Sequence, residues 1–567
     1  MGSDASLPSP RRDPLLLCMW ALGPICASIY SLIHGRHDGA DYLNVRWFLG
    51  WLIVNDPEGV PSRLHSLTVR PFFNEIFMGV LTQVDFWWFP VVIVGALHGT
   101  IPPLLYQTCR SLCPQVRSGV AALASLLSLA TPLTSVHIGR ENGHLLAALC
   151  MVIVVRHVVS RPEKVSPSKA AFLLNLALFL KYSSVFSVAV VAVFVLTTLS
   201  LGVALKFVRS FVACLWTFTL VHSALRWPSL DSTEIVLQPW SVTRGWFFVL
   251  GLAIILTFFH TPKRLMRTLF SWPSAEIVWH RSSPFIMPLF ALVLLSLYSF
   301  TQIFGDPRFY TDSATTIVRR LASNGMNLGE RSFGSDSLYD LEYTYFDLSK
   351  IVASLTLLVA IGLILSDVLT RRQNRHRVLL FSSIPGSVLV LVMAHYGYVR
   401  YVAETLLLLP VAVVALGHSL NVGRKTRSIA VVLPLLLLVL PISGLQEWRG
   451  YFDDDPHPRS GPLLTEEEIT LLSGLVPYES TVIFLSRDVS WVAPVIDRKD
   501  LVWSVGSDVP NDRGRSSATV FFDPSRYEEL QFVVDRGWLL SDCQVLRFEL
   551  MSAGWCSITA ANVGSLS

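Results

Sequence analysis

Long apolar runs alternate with short polar segments along most of the chain. The runs are about 17–22 residues long, which is the length an α-helix needs to cross about 30 Å of hydrocarbon. The pattern predicts roughly thirteen transmembrane helices. They are expected at 14–33, 86–107, 118–136, 143–159, 170–182, 184–204, 210–225, 244–260, 285–303, 349–368, 378–396, 401–418 and 428–445.

The pattern changes after the last of these runs. A polar, Pro-rich linker, YFDDDPHPRSGP, is followed by short apolar segments and one amphipathic stretch. Strands are predicted at STVIFLS, DLVWSV, ATVFFD and CQVLRFEL, and a helix is predicted at SRYEELQFVVDRGW. The sequence therefore predicts an α-helical polytopic membrane domain, 1–445, followed by a small extracytoplasmic α/β domain, 446–567.

Basic residues determine the expected orientation. They are concentrated in alternate loops, such as RRQNRHR at 371–377 and GRKTR at 423–427, whereas the other loops carry mixed charge. The positive-inside rule then predicts a cytoplasmic N-terminus and an extracytoplasmic C-terminus. On the extracytoplasmic side, Cys543 and Cys556 share a polar region and can pair.

Composition agrees with a multi-pass membrane protein. The 567 residues are 52% hydrophobic and only 15% charged, whereas soluble proteins carry about 25% charged residues. The net charge of +4 gives no support for a nucleic-acid partner. We expect an integral protein of a bacterial plasma membrane, in contact with membrane lipid.

Four polar clusters are expected on the extracytoplasmic face. They lie at 34–51, 137–144, 304–348 and 395–404. A single cluster can be a solvated loop or an interfacial anchor, but four on one face favour function. A carboxylate there can deprotonate an attacking hydroxyl, and Arg or His can neutralise a departing phosphate. Asp38, Asp41 and Glu141 also offer the oxygen ligands that a divalent cation such as Mg²⁺ or Mn²⁺ prefers.

Three of the motifs resemble those of polytopic glycosyltransferases of the GT-C superfamily. They are DGADY after the first apolar run, GREN before the fourth, and RYVAETLLLLP in a late run. The resemblance implies a polyprenyl-phosphate-linked sugar as donor and Asp41 as catalytic base, with Asp38 as second candidate. It also implies that Arg140, Glu141, His144, His395, Arg400 and Tyr401 bind substrate.

The sequence departs from these families in two places. Two residues separate Asp38 from Asp41, where many members have one, and the WWDYG-type signature of oligosaccharyltransferases is missing. We therefore expect an inverting transfer of one sugar to a glycan or glycolipid of the cell envelope, and not transfer of whole oligosaccharides to protein.

Two other functions stay open. A glycan polymerase or ligase would depend on Arg319, Arg320 or Arg331 in the long loop. A flippase for lipid-linked sugars would place ionisable groups near the middle of the bilayer, in repeated halves. Lys181 and Glu404 lie only slightly inside the apolar runs, and the chain has no obvious internal repeat, which argues against transport.

Overall fold

A computed structural model describes most of the first 226 residues and much of the C-terminal part. The residues described are 13–34, 36–37, 47–48, 50–51, 72–84, 88–130, 134, 137–139, 143–160, 164–181, 184–226, 404, 407–408, 410–411, 414, 458–459, 464–477, 480–485, 489, 491–496, 502–505, 517–535, 537–548 and 552–560. They fall into two compact units. The first unit contains described residues within 13–33, 92–223 and 404–414, and the second contains those within 34–91, 224–226 and 458–560.

The first unit is helical. Its helices are α1 (Pro14–His34), α3 (Trp88–His98), α4 (Ile101–Leu112), α5 (Ser118–Ala130), α6 (His144–Ser160), α7 (Pro167–Leu180), α8 (Val185–Thr198) and α9 (Leu201–Arg226). One end of each of α1, α3 and α9 extends into the second unit, which also contains α2 (Phe72–Thr82). Two of the described segments, Pro14–Ile33 and Trp88–Leu112, are long and apolar enough to cross a membrane. The second of these is interrupted by a turn at Gly99 and Thr100, between α3 and α4.

The first helix is fixed at its N-terminus and packs closely at its middle. The Asp13 carboxylate accepts a hydrogen bond from the backbone N–H of Leu15 at 3.1 Å and one from the Tyr106 hydroxyl at 2.5 Å. Further along, a Cβ atom added to Gly23 would lie 2.5 Å from the carbonyl oxygen of Gly99. The α1 backbone therefore packs directly against the turn between α3 and α4, as small residues permit between membrane helices.

The outward surface of α1 is apolar. Leu22, Ile25, Ile29 and Ile33 are each more than half exposed and follow one another at helical spacing. Leu123 on α5 and Phe172 on α7 are also about half exposed. Contiguous exposed surface of this kind is rare on a water-soluble monomer but is what a lipid-facing helix presents.

The second unit contains a mixed five-stranded sheet. Its strand order is β4-β3-β5-β7-β6, with β3 parallel to β4 and β5, and β7 antiparallel to β5 and β6. The strands are β3 (Thr481–Phe484), β4 (Val502–Val505), β5 (Ser517–Phe522), β6 (Trp538–Arg547) and β7 (Ser552–Ala560). Helices α10 (Glu466–Gly474), α11 (Val492–Ile496) and α12 (Leu530–Asp535) and a 3₁₀ helix (Pro524–Glu529) accompany the sheet.

Alternate residues of the strands fill two separate cores. Val482, Phe484 and Phe521 belong to one core, whereas Ile483 and Phe522 belong to the other. This division follows from the alternation of side chains along a strand. Both cores are built mainly from aliphatic and aromatic side chains, so the unit has the buried apolar surface that a small α/β domain needs.

The first polar segment of the chain is part of this second unit. Strand β1 (Arg36–His37) pairs antiparallel with strand β2 (Pro458–Arg459). Phe48 and Trp51 are buried in the core that contains Phe484, and the rings of Phe48 and Phe484 meet edge to face at 6.4 Å. Residues near both ends of the chain therefore belong to one folded unit.

The predicted fold class is confirmed in outline, as a helical chain with a small C-terminal sheet. The pairing of Cys543 with Cys556 is also confirmed. The predicted break between the runs 184–204 and 210–225 is wrong, because Lys206 and Arg209, which lie between those runs, are inside α9. Lys and Arg are good helix formers with long aliphatic stems, so they do not end a helix. The count of thirteen helices and the domain boundary at 445 stay predictions.

Candidate functional site

A buried carboxylate joins three parts of the helical unit. Oε1 of Glu404 lies 3.0 Å from Nδ1 of His144 and 2.6 Å from Oγ of Ser184, and Oε2 lies 3.4 Å from Oγ of Ser187. The side chains of Glu404 and His144 have no exposed surface. When the Glu404 carboxylate is ionised it only accepts hydrogen bonds, and Nδ1 of His144 is then the donor.

The Glu404 contact joins residues at the starts of two helices. His144 is the first residue of α6, and Ser184 directly precedes α8. Burying a carboxylate among apolar helices is costly unless its oxygens are hydrogen bonded, and here both oxygens accept bonds. Glu404 therefore fixes the starts of α6 and α8 against the segment around residue 404, and is suited to hold its neighbours and not to remove a proton from a substrate.

A second buried contact lies just before His144 in the chain. The backbone N–H of Gly139 donates to Nδ1 of His98 at 3.1 Å, at the end of α3. Gly139 has a φ of +77°, and a Cβ atom at this position would lie 2.2 Å from Oγ of Ser31 on α1. Only glycine combines this backbone conformation with such a close approach.

Together these contacts fix both ends of the polar segment 139–144. Gly139 is held at one end by His98 and Ser31, and His144 is held at the other by Glu404 and Ser184. The ring of His137 lies 5.5 Å from that of His144 and is also buried. The described residues therefore assemble a compact polar cluster from α1, α3, α6, α8 and residue 404.

Most of the site residues predicted from the sequence lie outside the described residues. These are Asp38, Asp41, Arg140, Glu141, His395, Arg400 and Tyr401. Of the predicted set, His144 is described, and its partner Glu404 belongs to the predicted cluster at 395–404. The His144–Glu404 contact thus joins the second and fourth predicted clusters, whose two residues are 260 positions apart in the chain.

The expected divalent cation stays a prediction from the sequence. Its candidate ligands Asp38, Asp41 and Glu141 lie outside the described residues. Within the part of the chain that the structure describes, no three His, Cys, Asp or Glu side chains lie close enough to hold a metal ion.

Solved structures of membrane glycosyltransferases resemble this chain. The apo oligosaccharyltransferase of Archaeoglobus fulgidus is 12% identical with a TM-score of 0.48, and the match covers 94% of this chain and 70% of that chain. The same enzyme with Zn and sulfate is 12% identical with a TM-score of 0.44, covering 88% and 68% of the two chains. Apo ArnT of Cupriavidus metallidurans is 12% identical with a TM-score of 0.32, covering 95% and 97%.

These proteins are GT-C glycosyltransferases, the group that the sequence motifs resemble. No protein-family model and no curated protein matches the chain. Because the TM-scores are below 0.5 and the identities are 12%, no residue role, substrate or mechanism is transferred from these structures to this chain.

Several residues of the polar cluster escaped prediction from the sequence. His98, Ser184 and Ser187 lie in or beside apolar runs with no motif around them. Glu404 lies slightly inside an apolar run, and the sequence assigns it no role. An ionisable group in a membrane segment is energetically costly to bury, so it needs a partner or a function. That cost is the signal by which the sequence could have identified Glu404 and His98.

Proposed function

We propose that the protein is a membrane glycosyltransferase that moves one sugar from a polyprenyl-phosphate donor to a glycan or lipid acceptor on the extracytoplasmic face. The observation that carries the proposal is the buried contact between His144 and Glu404. It brings together the last residues of the polar segments 137–144 and 395–404, for which the sequence predicts substrate binding. Glu141 precedes His144 by three residues, and Arg400 precedes Glu404 by four.

The proposed reaction is an inverting displacement. The acceptor hydroxyl attacks the anomeric carbon, the bond from that carbon to the phosphate oxygen breaks, and polyprenyl phosphate leaves. Asp41, or Asp38 in its place, takes the proton of the attacking hydroxyl. Arg400, with Tyr401 and His395, neutralises the phosphate, which is a good leaving group once its charge is balanced. Arg140 and Glu141 complete the substrate site in this proposal, and His144, whose side chain is buried against Glu404, holds the end of the segment that carries them.

Two observations support an extracytoplasmic location for this chemistry. The Cys543–Cys556 disulfide is typical of an oxidising compartment. Strand β1 pairs with strand β2 of the same unit that contains the disulfide, which supports the same location for the segment that leads into Asp38. A glycosyltransferase with its base on that side requires a donor that reaches the outer leaflet, as a polyprenyl phosphate does.

The proposal is tested with the purified full-length protein in lipid nanodiscs. Release of polyprenyl phosphate is measured with a panel of polyprenyl-phosphate monosaccharides and a cell-envelope lipid extract as acceptor. Replacing a general base should lower kcat by about 10²–10⁴-fold, so Asp41→Asn should lose most of the activity. The matched control is Asp535→Asn, at an exposed carboxylate of α12.

The outcome also separates the alternatives. Wild-type turnover by Asp41→Asn and by Asp38→Asn would remove both from the role of base. If turnover instead depends on Arg319, Arg320 or Arg331, a polymerase or ligase is favoured. Transport of the intact donor across a vesicle membrane, without release of polyprenyl phosphate, would indicate a flippase.

A further inference from the structure

Strand β6 contains a β-bulge that changes the face of the sheet on which its side chains lie. Its pairing with β7 shifts between Ser541 and Gln544, so that Asp542 and Cys543 together lie opposite Cys556. Asp542 has a φ of +50°. Side chains alternate between the two faces of a strand, so one extra residue turns every later side chain to the other face.

The two cores of the second unit show the effect of the bulge. Before it, Trp538 is buried in one core and Leu540 packs against that core. After it, Leu546 and Phe548 pack against the other core, where the rings of Phe548 and Trp491 meet edge to face at 5.9 Å. A regular strand would place all these even-numbered positions of β6 on one face. The bulge therefore lets one strand contribute to both cores.

The disulfide between Cys543 and Cys556 lies at this bulge. A bulge leaves its extra residue outside the ladder of hydrogen bonds, which weakens the pairing locally. Strand β6 is also the last strand in the order of the sheet, so among the described residues only β7 pairs with it. The disulfide is therefore a covalent link between β6 and β7 at the place where their hydrogen bonding is interrupted.

The two parts of β6 differ in their other contacts. The part before the bulge, 538–541, begins with the buried Trp538 and follows a turn in which the N–H of Gly537 donates to the carbonyl of Val534 on α12 at 2.9 Å. In the part after the bulge, 544–548, Val545 is 46% exposed and Leu546 and Phe548 are only partly buried. The second part thus depends more on the disulfide than the first.

We propose that the Cys543–Cys556 disulfide is a redox-sensitive latch for residues 544–548. The oxidised latch holds this part of β6 on β7 and keeps Leu546 and Phe548 on the core that contains Trp491. Reduction by a dithiol lets residues 544–548 separate from β7 and exposes that core, while residues 538–541 stay in place. The inference does not depend on the proposed sugar transfer, because it concerns only the folding of the second unit.

The chemistry of the latch is thiol–disulfide exchange. Cys543 is exposed and Cys556 is fully buried, so a thiolate of the dithiol attacks Sγ of Cys543. The protein S–S bond breaks, and Cys556 takes up a proton and becomes a thiol. The second thiol of the dithiol then displaces Cys543 as a thiol. The protein gains two electrons and two protons, and the dithiol is oxidised to its own disulfide.

The test is hydrogen–deuterium exchange of the full chain in lipid nanodiscs, with and without dithiothreitol. The other six cysteines are free thiols, so the dithiol reduces only this bond. Closing a loop of this length by a disulfide corresponds to about 10²-fold in an opening equilibrium. We therefore expect amide exchange in 544–548 to rise about 10²-fold on reduction, with exchange in 538–541 unchanged.

A double variant provides the matched control. Cys543→Ser combined with Cys556→Ala should show fast exchange in 544–548 without reductant and should not respond to dithiothreitol. Alkylation of the new thiols, followed by mass spectrometry, measures how much of the wild-type disulfide is reduced. Unchanged exchange in 544–548 after full reduction would overturn the proposal, as would a bond that the dithiol does not reduce in the folded protein. Equal acceleration in both parts of β6 would also overturn it, because the disulfide would then stabilise the unit as a whole.

Discussion

Two polar segments of the predicted site are held in different ways. The segment 139–144 is held inside the helical unit by buried hydrogen bonds, from Gly139 to His98 and from His144 to Glu404. The residues on either side of 38–46 are held in the second unit, Arg36–His37 by a short strand pair and Phe48 by aromatic packing. The first depends on the hydrogen-bond geometry of a few polar atoms, and the second depends on apolar side chains that fill a core.

The difference predicts different tolerance to substitution. A buried hydrogen bond is lost completely when its acceptor is removed, and the remaining donor then bears the full cost of desolvation. An apolar contact loses stability in proportion to the volume removed, so similar side chains can replace one another. The helical unit should therefore be the less tolerant of the two at these positions.

The largest effect is expected at Glu404. Glu404→Ala removes the buried partner of His144 and of the Ser184 hydroxyl, and each buried polar group that loses this partner costs about 1–3 kcal/mol. Glu404→Gln keeps an acceptor oxygen and should cost about 1–2 kcal/mol, since a neutral acceptor is weaker than a charged one. The measurement is the free energy of unfolding from denaturant titration in detergent micelles. Similar values for Ala, Gln and wild type would show that the contact does not hold the unit together.

A smaller effect is expected at Gly139. An alanine there must adopt a φ of +77° and place its Cβ against Ser31. The backbone conformation costs about 1–2 kcal/mol and the overpacking about 1–3 kcal/mol, so Gly139→Ala should destabilise by about 2–5 kcal/mol.

Gly202 provides the matched control for this change. It lies in α9 with nothing within 4 Å of an added Cβ atom, and Gly202→Ala should stabilise by about 0.5–1 kcal/mol. Thermal unfolding of both variants in the same lipid checks the pair. Equal shifts in Tm would mean that Gly139 is not constrained as described.

The smallest effect is expected at His98, and it depends on which replacement is made. His98→Leu leaves the N–H of Gly139 without its acceptor, which costs about 1–3 kcal/mol. His98→Asn can place an amide oxygen near the position of Nδ1 and should cost less. Hydrogen–deuterium exchange of the peptide containing Gly139 reads the bond directly. Faster exchange in the Leu variant than in the Asn variant is expected, and the reverse order would contradict the assignment.

The helices and most of the strands could be predicted because their patterns are long and regular. The apolar runs that begin near Pro14, Ser118 and His144 became α1, α5 and α6 with small shifts at their ends. Strand β7 was missed because small residues dilute its alternation. Gly554 is one of them, and it lies opposite Phe522, whose ring would meet an added Cβ atom at 2.2 Å. The glycine is a consequence of tertiary packing, which no local pattern reveals.

The candidate site was predictable in its clusters but not in its contacts. The sequence identified His144 and the cluster that includes Glu404, and the face on which they were expected to lie. It could not pair them, because 260 positions separate the two residues and no periodic pattern connects them. Nor could it assign Phe48 and Trp51 to the C-terminal core, since the segment that contains them, YLNVRWFLGWLIV, also has the amphipathic pattern of a helix lying at a membrane interface.

The packing of Phe48 against Phe484 also has a consequence for biosynthesis. The two residues are made at opposite ends of translation, and at about 5–20 residues per second they are separated by roughly 20–90 s. During that interval the segment around Phe48 has no core to enter, so its aromatic side chains stay exposed to solvent, lipid or a chaperone. Premature termination upstream of β3 would leave the membrane helices made and this segment without its partner.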